Sequence, residues 1–186
     1  MLCEISSLFG YNFFYTWIAL SLIALFFLVL FSSLIFYHYY VKITFEKWQQ
    51  KTNTKYPPAE GVRTEIILML KGLLSATICP ALTLHLMGKG QLKGYCGVEP
   101  YGWNYLILSF FLIWLSTDFF EFFYHRLGHT IDFCWNIHKS HHQFYNPTPF
   151  AVIADEYIDQ FVRALPLLII PMFIPINMDL LFFQVN

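Results

Sequence analysis

Long, uninterrupted apolar runs dominate the pattern of hydrophobic and polar positions along this chain. The first run extends from about Tyr15 to Tyr37 and matches the roughly 20 residues that a helix needs to cross a bilayer core. No basic segment precedes it and it is too long for a signal peptide, so we interpret it as an uncleaved membrane anchor. Similar runs over 66–87, interrupted by Pro80, and over 103–124 predict two further spanning helices.

The last apolar stretch, Leu165 to Val185, differs from the other three because it contains Pro166, Pro171 and Pro175. Proline removes a backbone donor and clashes with the preceding helical turn, so three of them argue against one straight helix. We expect a broken or re-entrant segment here. The pattern as a whole predicts an all-α protein, an integral membrane helical bundle.

The charges between the spans predict how the bundle is oriented. The connection over 42–63 carries five basic residues, whereas the segment before the first span holds Glu4 and no basic residue. By the positive-inside rule the connection is cytosolic and the N-terminus faces the opposite side. The third span then ends on the cytosolic side.

Composition rules out an ordinary soluble domain. Hydrophobic residues make up 57% of the 186 residues and charged residues 12%, against about 25% charged residues in typical soluble domains. Lipid must therefore cover part of the surface. The net charge is −1 with no basic stripe, which argues against nucleic acid as a partner.

Five of the seven histidines follow the third span within eighteen residues, at the spacings HxxxH and HxxHH. These five are His125, His129, His138, His141 and His142. Residues three or four apart share a helix face, and imidazole is the commonest metal ligand in proteins. The clusters thus predict a histidine-rich metal site on the cytosolic side. A zinc protease motif is excluded because Arg126, not glutamate, follows the first histidine.

Imidazole-rich sites suit iron, copper, zinc or nickel. Five imidazoles exceed what one tetrahedral zinc needs, which leaves two metals or one over-supplied site as alternatives. Asp118 and Glu121 lie on the same helical stripe as His125. We expect them to orient ligand imidazoles rather than to bind metal themselves.

At this point the chain resembles the fatty acid hydroxylase/sterol desaturase superfamily, whose signature begins with HxxxH and HxxHH. The run Ile137–His142 and the run Pro147–Ala151 are similar to the lathosterol oxidase (sterol C-5 desaturase) branch. The resemblance covers roughly Trp103 to the end. It implies that residues 1–102 form an N-terminal membrane region with two spanning helices and that residues 103–186 form a partial fatty acid hydroxylase domain.

Two departures from that family pattern are visible. Glu156 stands where the branch usually has a histidine, and because a carboxylate can bind iron we include it among the predicted ligands. The third histidine cluster of the family is absent. We therefore expect the N-terminal and central part of a longer enzyme, or a C-terminally truncated product.

The resemblance implies a di-iron oxidoreductase that desaturates or hydroxylates a sterol or another lipid with dioxygen in lipid biosynthesis. Electrons would come from NAD(P)H through cytochrome b5, and the protein would be a multi-pass protein of the endoplasmic reticulum membrane. Five phenylalanines are candidates to line the lipid path: Phe119, Phe122, Phe123, Phe144 and Phe150. The alternatives are a catalytically incomplete remnant that keeps the fold and a partial metal site, and, less favoured, a metal carrier.

Overall fold

The computed structural model describes residues 2–51 and 53–185, with the side chains of 2, 3, 5, 42, 43, 184 and 185 outside the description. The chain is mostly helical. Its helices are α1 (Leu2–Leu8), α2 (Phe13–Tyr40), α3 (Lys42–Lys47), α4 (Ala59–Ala76), α5 (Ile78–Gly88), α6 (Gly102–Thr130), α7 (Asp132–His138), α8 (Tyr157–Arg163), α9 (Pro166–Phe173) and α10 (Met178–Val185). Short 3₁₀ turns cover His141–Gln143 and Pro149–Ile153.

Three helical stretches within the described residues are long and apolar enough to cross a membrane: Phe13–Tyr40, Ala59–Gly88 and Gly102–Thr130. These stretches contain the three predicted spans and confirm them, and each extends beyond the predicted limits. We therefore treat the chain as a multi-pass membrane protein. In the most apolar 18-residue part of each stretch, 56% of the second is buried, against 17% of the first and 11% of the third. The second stretch therefore lies at the centre, while α2 and α6 expose most of their apolar surface.

The central span is interrupted at Thr77, between α4 and α5. Pro80 has no backbone N–H, so the helix cannot continue its hydrogen-bond ladder across this point. The Thr77 hydroxyl donates to the carbonyls of Leu73 and Leu74, and the Trp17 indole also donates to the Leu74 carbonyl at 3.1 Å. These bonds satisfy backbone groups that lipid could not.

Hydrogen bonds between residues that are far apart in the sequence define two ends of the bundle. At the end that carries the histidine clusters, which we call the histidine end, the buried Glu65 carboxylate accepts the backbone N–H and the hydroxyl of Thr148. Tyr40 donates to the Pro147 carbonyl in the same region. The opposite end joins the start of α2 to the end of α5, where His85 Nδ1 lies 2.6 Å from the Tyr11 carbonyl.

The proline-rich segment is broken, as predicted. It forms α9, a short extended stretch and α10, and it lies along α5, where the Thr83 hydroxyl donates to the Leu167 carbonyl at 3.0 Å. The extended stretch β2 (Ile176–Asn177) pairs in parallel with β1 (Gly94–Tyr95). This two-residue pairing is a small departure from the all-α prediction, and it follows from the prolines that stop the helix.

Candidate metal centre

The histidine clusters lie on three consecutive pieces of chain that fold back on one another. His125 and His129 are on the last two turns of α6, His138 ends α7, and His141 and His142 start the following 3₁₀ turn. The reversal occurs at Ile131, which is extended between α6 and α7. Both clusters therefore reach the same place.

Gly128 makes this close return possible. A Cβ at this position would lie 2.7 Å from Cδ2 and 2.8 Å from Cγ of His138, well below an ordinary carbon–carbon contact of about 3.5–4.0 Å. The His138 ring therefore packs directly on the backbone of α6. Only glycine leaves room for it.

Four of the imidazoles converge. Ligand nitrogens of His125, His138, His141 and His142 all lie within 4.8 Å of one another. The fifth, His129, places its Nε2 3.1 Å from Nε2 of His125. The structure thus brings all five predicted histidines together.

A buried carboxylate faces one nitrogen of the His138 ring. Its Nδ1 lies 3.3 Å from Oδ1 of Asp159, which also accepts the Tyr124 hydroxyl. Its Nε2 is buried and has no hydrogen-bond partner among residues 2–51 and 53–185. An unpaired buried nitrogen is costly, and a histidine whose other nitrogen faces a carboxylate is the usual arrangement at metal sites. The donor set therefore fits a metal ion.

Burial also keeps His138 in the form that binds metals. Desolvation lowers the pKa of His138 and outweighs the nearby Asp159 carboxylate, which raises it. A lowered pKa means that the ring is neutral near pH 7, and the neutral imidazole is the metal-binding form.

His141 has a different electrostatic environment. Its Nδ1 lies 3.0 Å from Oδ1 of Asp155 and 3.7 Å from Oδ2 of Asp159. The first distance is that of a hydrogen bond, but the orientation falls outside hydrogen-bond geometry, so we describe the contact as an ion pair. Asp155, followed by Asp159, raises the pKa of His141 to about 9. Both carboxylates thus stabilise a proton on Nδ1. At this pKa the metal-free ring is protonated on both nitrogens near pH 7, so a metal at Nε2 would have to displace a proton.

One arginine links these carboxylates to α6. Arg163 lies 3.0 Å from Oδ2 of Asp155 through Nη1, and it binds both oxygens of Glu121 through Nη2 and Nε at 2.8 and 3.3 Å. The Glu121 carboxylate thus pairs with an arginine, whereas we expected it to orient an imidazole. Asp118 lines a surface cavity of about 310 Å³ together with Glu121 and His125.

Glu156 is not brought to the imidazoles. Its Oε1 lies 3.8 Å from Nζ of Lys71, and both side chains are partly exposed. Glu156 is the residue preceding the first turn of α8, so its carboxylate points to α4 while Asp159, one turn later, points to His138. The carboxylates that approach the histidines are therefore Asp155 and Asp159.

Asp155, Asp159, Arg163 and Gly128 were missed as site residues by sequence reasoning. A signal for the first three exists, because they recur every four residues just before an apolar, proline-rich stretch. That spacing predicts charged groups on one face of a short helix, and in the structure Asp159 and Arg163 lie on α8 while Asp155 precedes it. Gly128 lies inside the first histidine motif, but nothing in the sequence shows which side chain would approach it.

A second cavity, of about 250 Å³, opens beside the imidazoles. Its lining combines His125 and His141 with apolar side chains of Phe144, Pro147 and Val152. Among the phenylalanines predicted to line a lipid path, Phe144 lies here and Phe122 lines the larger cavity.

The other three predicted phenylalanines lie elsewhere. Phe119 and Phe123 are exposed and pack against each other, with ring centroids 5.6 Å apart. Phe150 is buried against Phe36.

Comparison of the sequence with known proteins finds one family model and several relatives. The sequence model of the fatty acid hydroxylase family matches residues 110–185. The chain is 34% identical to lathosterol oxidase of Rattus norvegicus over 118 residues, which are 62% of this chain and 40% of that protein. It is 34% identical over 107 residues to a Delta(7)-sterol 5(6)-desaturase of Aspergillus fumigatus, covering 56% of this chain and 33% of that protein.

A longer match at lower identity extends towards the N-terminus. A Delta(7)-sterol 5(6)-desaturase of Schizosaccharomyces pombe is 27% identical over 159 residues, covering 83% of this chain and 52% of that protein. The chain therefore spans between a third and about half of the length of these relatives. No solved structure matches the chain. Residues 110–185 match the fatty acid hydroxylase family, and this match together with the relatives supports the fatty acid hydroxylase/sterol desaturase superfamily and its branch of lathosterol oxidases and sterol C5(6) desaturases.

Proposed function

We propose that this chain forms the membrane region and the imidazole-rich part of a non-haem di-iron oxidoreductase that desaturates or hydroxylates a sterol or another lipid with dioxygen. The observation that carries the proposal is the convergence of four imidazoles within 4.8 Å at one end of a helical membrane bundle. Relatives named as lathosterol oxidase and sterol 5(6)-desaturase support a sterol or a similar lipid as substrate. Residues 1–102 act as the N-terminal membrane region and residues 103–186 as part of the hydroxylase domain.

The proposed iron ligands are the five histidines, with Glu156 as a sixth candidate that would have to leave Lys71 to take part. Bound iron supplies the ability to use dioxygen on an unactivated C–H bond. The protein's own part is to hold and orient the ligands: Asp159 faces Nδ1 of His138 at 3.3 Å and so leaves Nε2 available. Burial of His138 keeps water from competing for that nitrogen.

The 250 Å³ cavity beside His125 and His141 is the proposed place for the reacting part of the lipid. Phe144, Pro147 and Val152 give it one apolar wall, which would contact the hydrocarbon part of the lipid. The polar part of the lining consists of His125, His141, Asp155 and Arg163. The α2 and α6 helices expose apolar side chains that the bilayer would cover, and the lipid would approach this end of the bundle along them.

The excess of basic residues in the connection over 42–63 supports a cytosolic position for the histidine end. Resemblance to the family adds the endoplasmic reticulum as the membrane and cytochrome b5, reduced by NAD(P)H, as the electron donor. A cytosolic site is accessible to such a donor.

The test uses the full chain in detergent or nanodiscs, loaded with iron(II) under anaerobic conditions. Metal analysis after desalting should find iron in the wild type and a clear loss in His138→Ala, with His38→Ala as the matched control outside the cluster. Oxygen-dependent conversion of a sterol substrate, with a chemical or protein reductant, then tests the activity. Iron retention without any conversion would favour the alternative of a catalytically incomplete chain with a partial site, and equal iron in all variants would refute the metal centre.

A further inference from the structure

Arg163 occupies an unusual position among the charged residues of the histidine end. It is on the last turn of α8, yet its guanidinium reaches α6 and binds both oxygens of Glu121 at 2.8 and 3.3 Å. Its third contact joins Nη1 to Oδ2 of Asp155, at 3.0 Å. A bidentate arginine–carboxylate pair fixes orientation as well as distance, so Arg163 is held by Glu121 while it holds Asp155.

The two oxygens of Asp155 have different partners. Oδ2 accepts from Arg163 and from the Gln160 amide, whereas Oδ1 faces Nδ1 of His141 at 3.0 Å. The Asp155 side chain is 3% exposed, so water does not hold it in place. Because Arg163 and Gln160 both hold Oδ2, Oδ1 is the oxygen that faces the imidazole.

We propose that Arg163 is a positioning residue for the metal centre: through Asp155 it fixes the ring of His141 beside the rings of His138 and His142, which lie 4.2 and 4.1 Å away between centroids. Glu121 anchors the arginine on α6, the helix that also carries His125 and His129. Arg163 therefore links Asp155 to α6, the helix that carries the first histidine cluster. The inference rests on the proposed metal-binding function.

The experiment measures the affinity of the full chain for cobalt(II) and iron(II) in wild type, Arg163→Gln, Asp155→Asn and the double variant. Partners that orient a metal-bound histidine typically contribute about 10–100-fold to metal affinity, so we expect a loss in that range for Asp155→Asn and at least a threefold loss for Arg163→Gln. The double variant should bind about as weakly as Asp155→Asn alone, because Arg163 acts through Asp155. Arg163→Lys, which keeps the charge but not the bidentate contact, should recover part of the affinity.

Lys139→Gln is the matched control, since Lys139 is a nearby exposed cation whose ammonium bonds Asn136 rather than a carboxylate of the site. Thermal unfolding of each variant separates loss of fold from loss of affinity, and Glu121→Gln provides a milder perturbation if Arg163→Gln does not fold. Unchanged affinity in Arg163→Gln, or losses that multiply fully in the double variant, would overturn the positioning role while the metal site stands. A wild type that binds neither metal would overturn the proposed function itself.

Discussion

Replacing Gly128 by alanine is the sharpest single perturbation of the site. The new Cβ would lie 2.7–2.8 Å from two ring carbons of His138, so the ring or the helix must move by about 1 Å to reach ordinary contact. Overpacking of this kind costs about 1–3 kcal/mol. Alanine regains up to about 1 kcal/mol through its higher helix propensity, so we expect a free energy of unfolding lowered by about 2 kcal/mol or less.

We expect Gly128→Ala to lower the metal affinity more than it lowers the free energy of unfolding. A ligand must be held within about 0.5 Å of its working position, and His138 is completely buried between α6 and Asp159, so it has no free space into which to relax. We expect the affinity for iron(II) or cobalt(II) to fall at least about tenfold, a loss comparable to that of removing a group that orients a ligand.

The assay pairs equilibrium metal titration with thermal unfolding in the same detergent. Gly61→Ala is the matched control, because a Cβ there would lie 3.4 Å from Pro58 Cγ, with room to adjust. This control should stabilise α4 slightly and leave metal affinity unchanged. Wild-type affinity in Gly128→Ala would refute the reasoning that His138 is a ligand positioned by its contact with α6.

Two further predictions concern the surroundings of the site. The Trp135 ring lies 5.3 Å from that of His129 and 5.6 Å from that of His142 between centroids, so binding of a paramagnetic metal should quench its fluorescence, and Trp135→Phe should abolish most of the quenching that Trp48→Phe retains. Equal quenching in both variants would show that the metal binds elsewhere. An Asn-x-Ser/Thr acceptor introduced at Gly90, at the opposite end, should be glycosylated in microsomes, whereas one introduced near Asn53 should not. The reverse pattern would contradict the cytosolic position of the histidine end.

The sequence was most informative where the physics is local. Apolar runs of membrane length predict spanning helices because every backbone group in lipid must bond within its own segment, and α2, α4–α5 and α6 confirm that prediction. The spacing of the histidines predicts shared helix faces, and His125 and His129 do lie on one face of α6. The second cluster is divided between the end of α7 and a 3₁₀ turn, and the two clusters converge because the chain reverses at Ile131. Three prolines correctly indicate that the segment after Leu165 is broken.

Long-range contacts were the part that spacing could not predict. Asp155 and Asp159 approach His141 and His138 because the chain after the second cluster returns to α4 and α6, and their separation in sequence hides this pairing. Glu121 pairs with a residue 42 positions later. Because Glu121 lies one turn before His125, we predicted that its carboxylate orients an imidazole. The cation that pairs with it, Arg163, is on another helix.

The most direct test of the account is X-ray absorption at the iron edge of the full chain, loaded with iron(II) and freed of excess metal. The account predicts nitrogen ligands around the iron and scattering from the more distant atoms of several imidazole rings. This imidazole scattering should be reduced in His138→Ala and unchanged in His38→Ala. Iron surrounded by oxygen alone, or the same spectrum in both variants, would contradict the claim that these histidines share a metal.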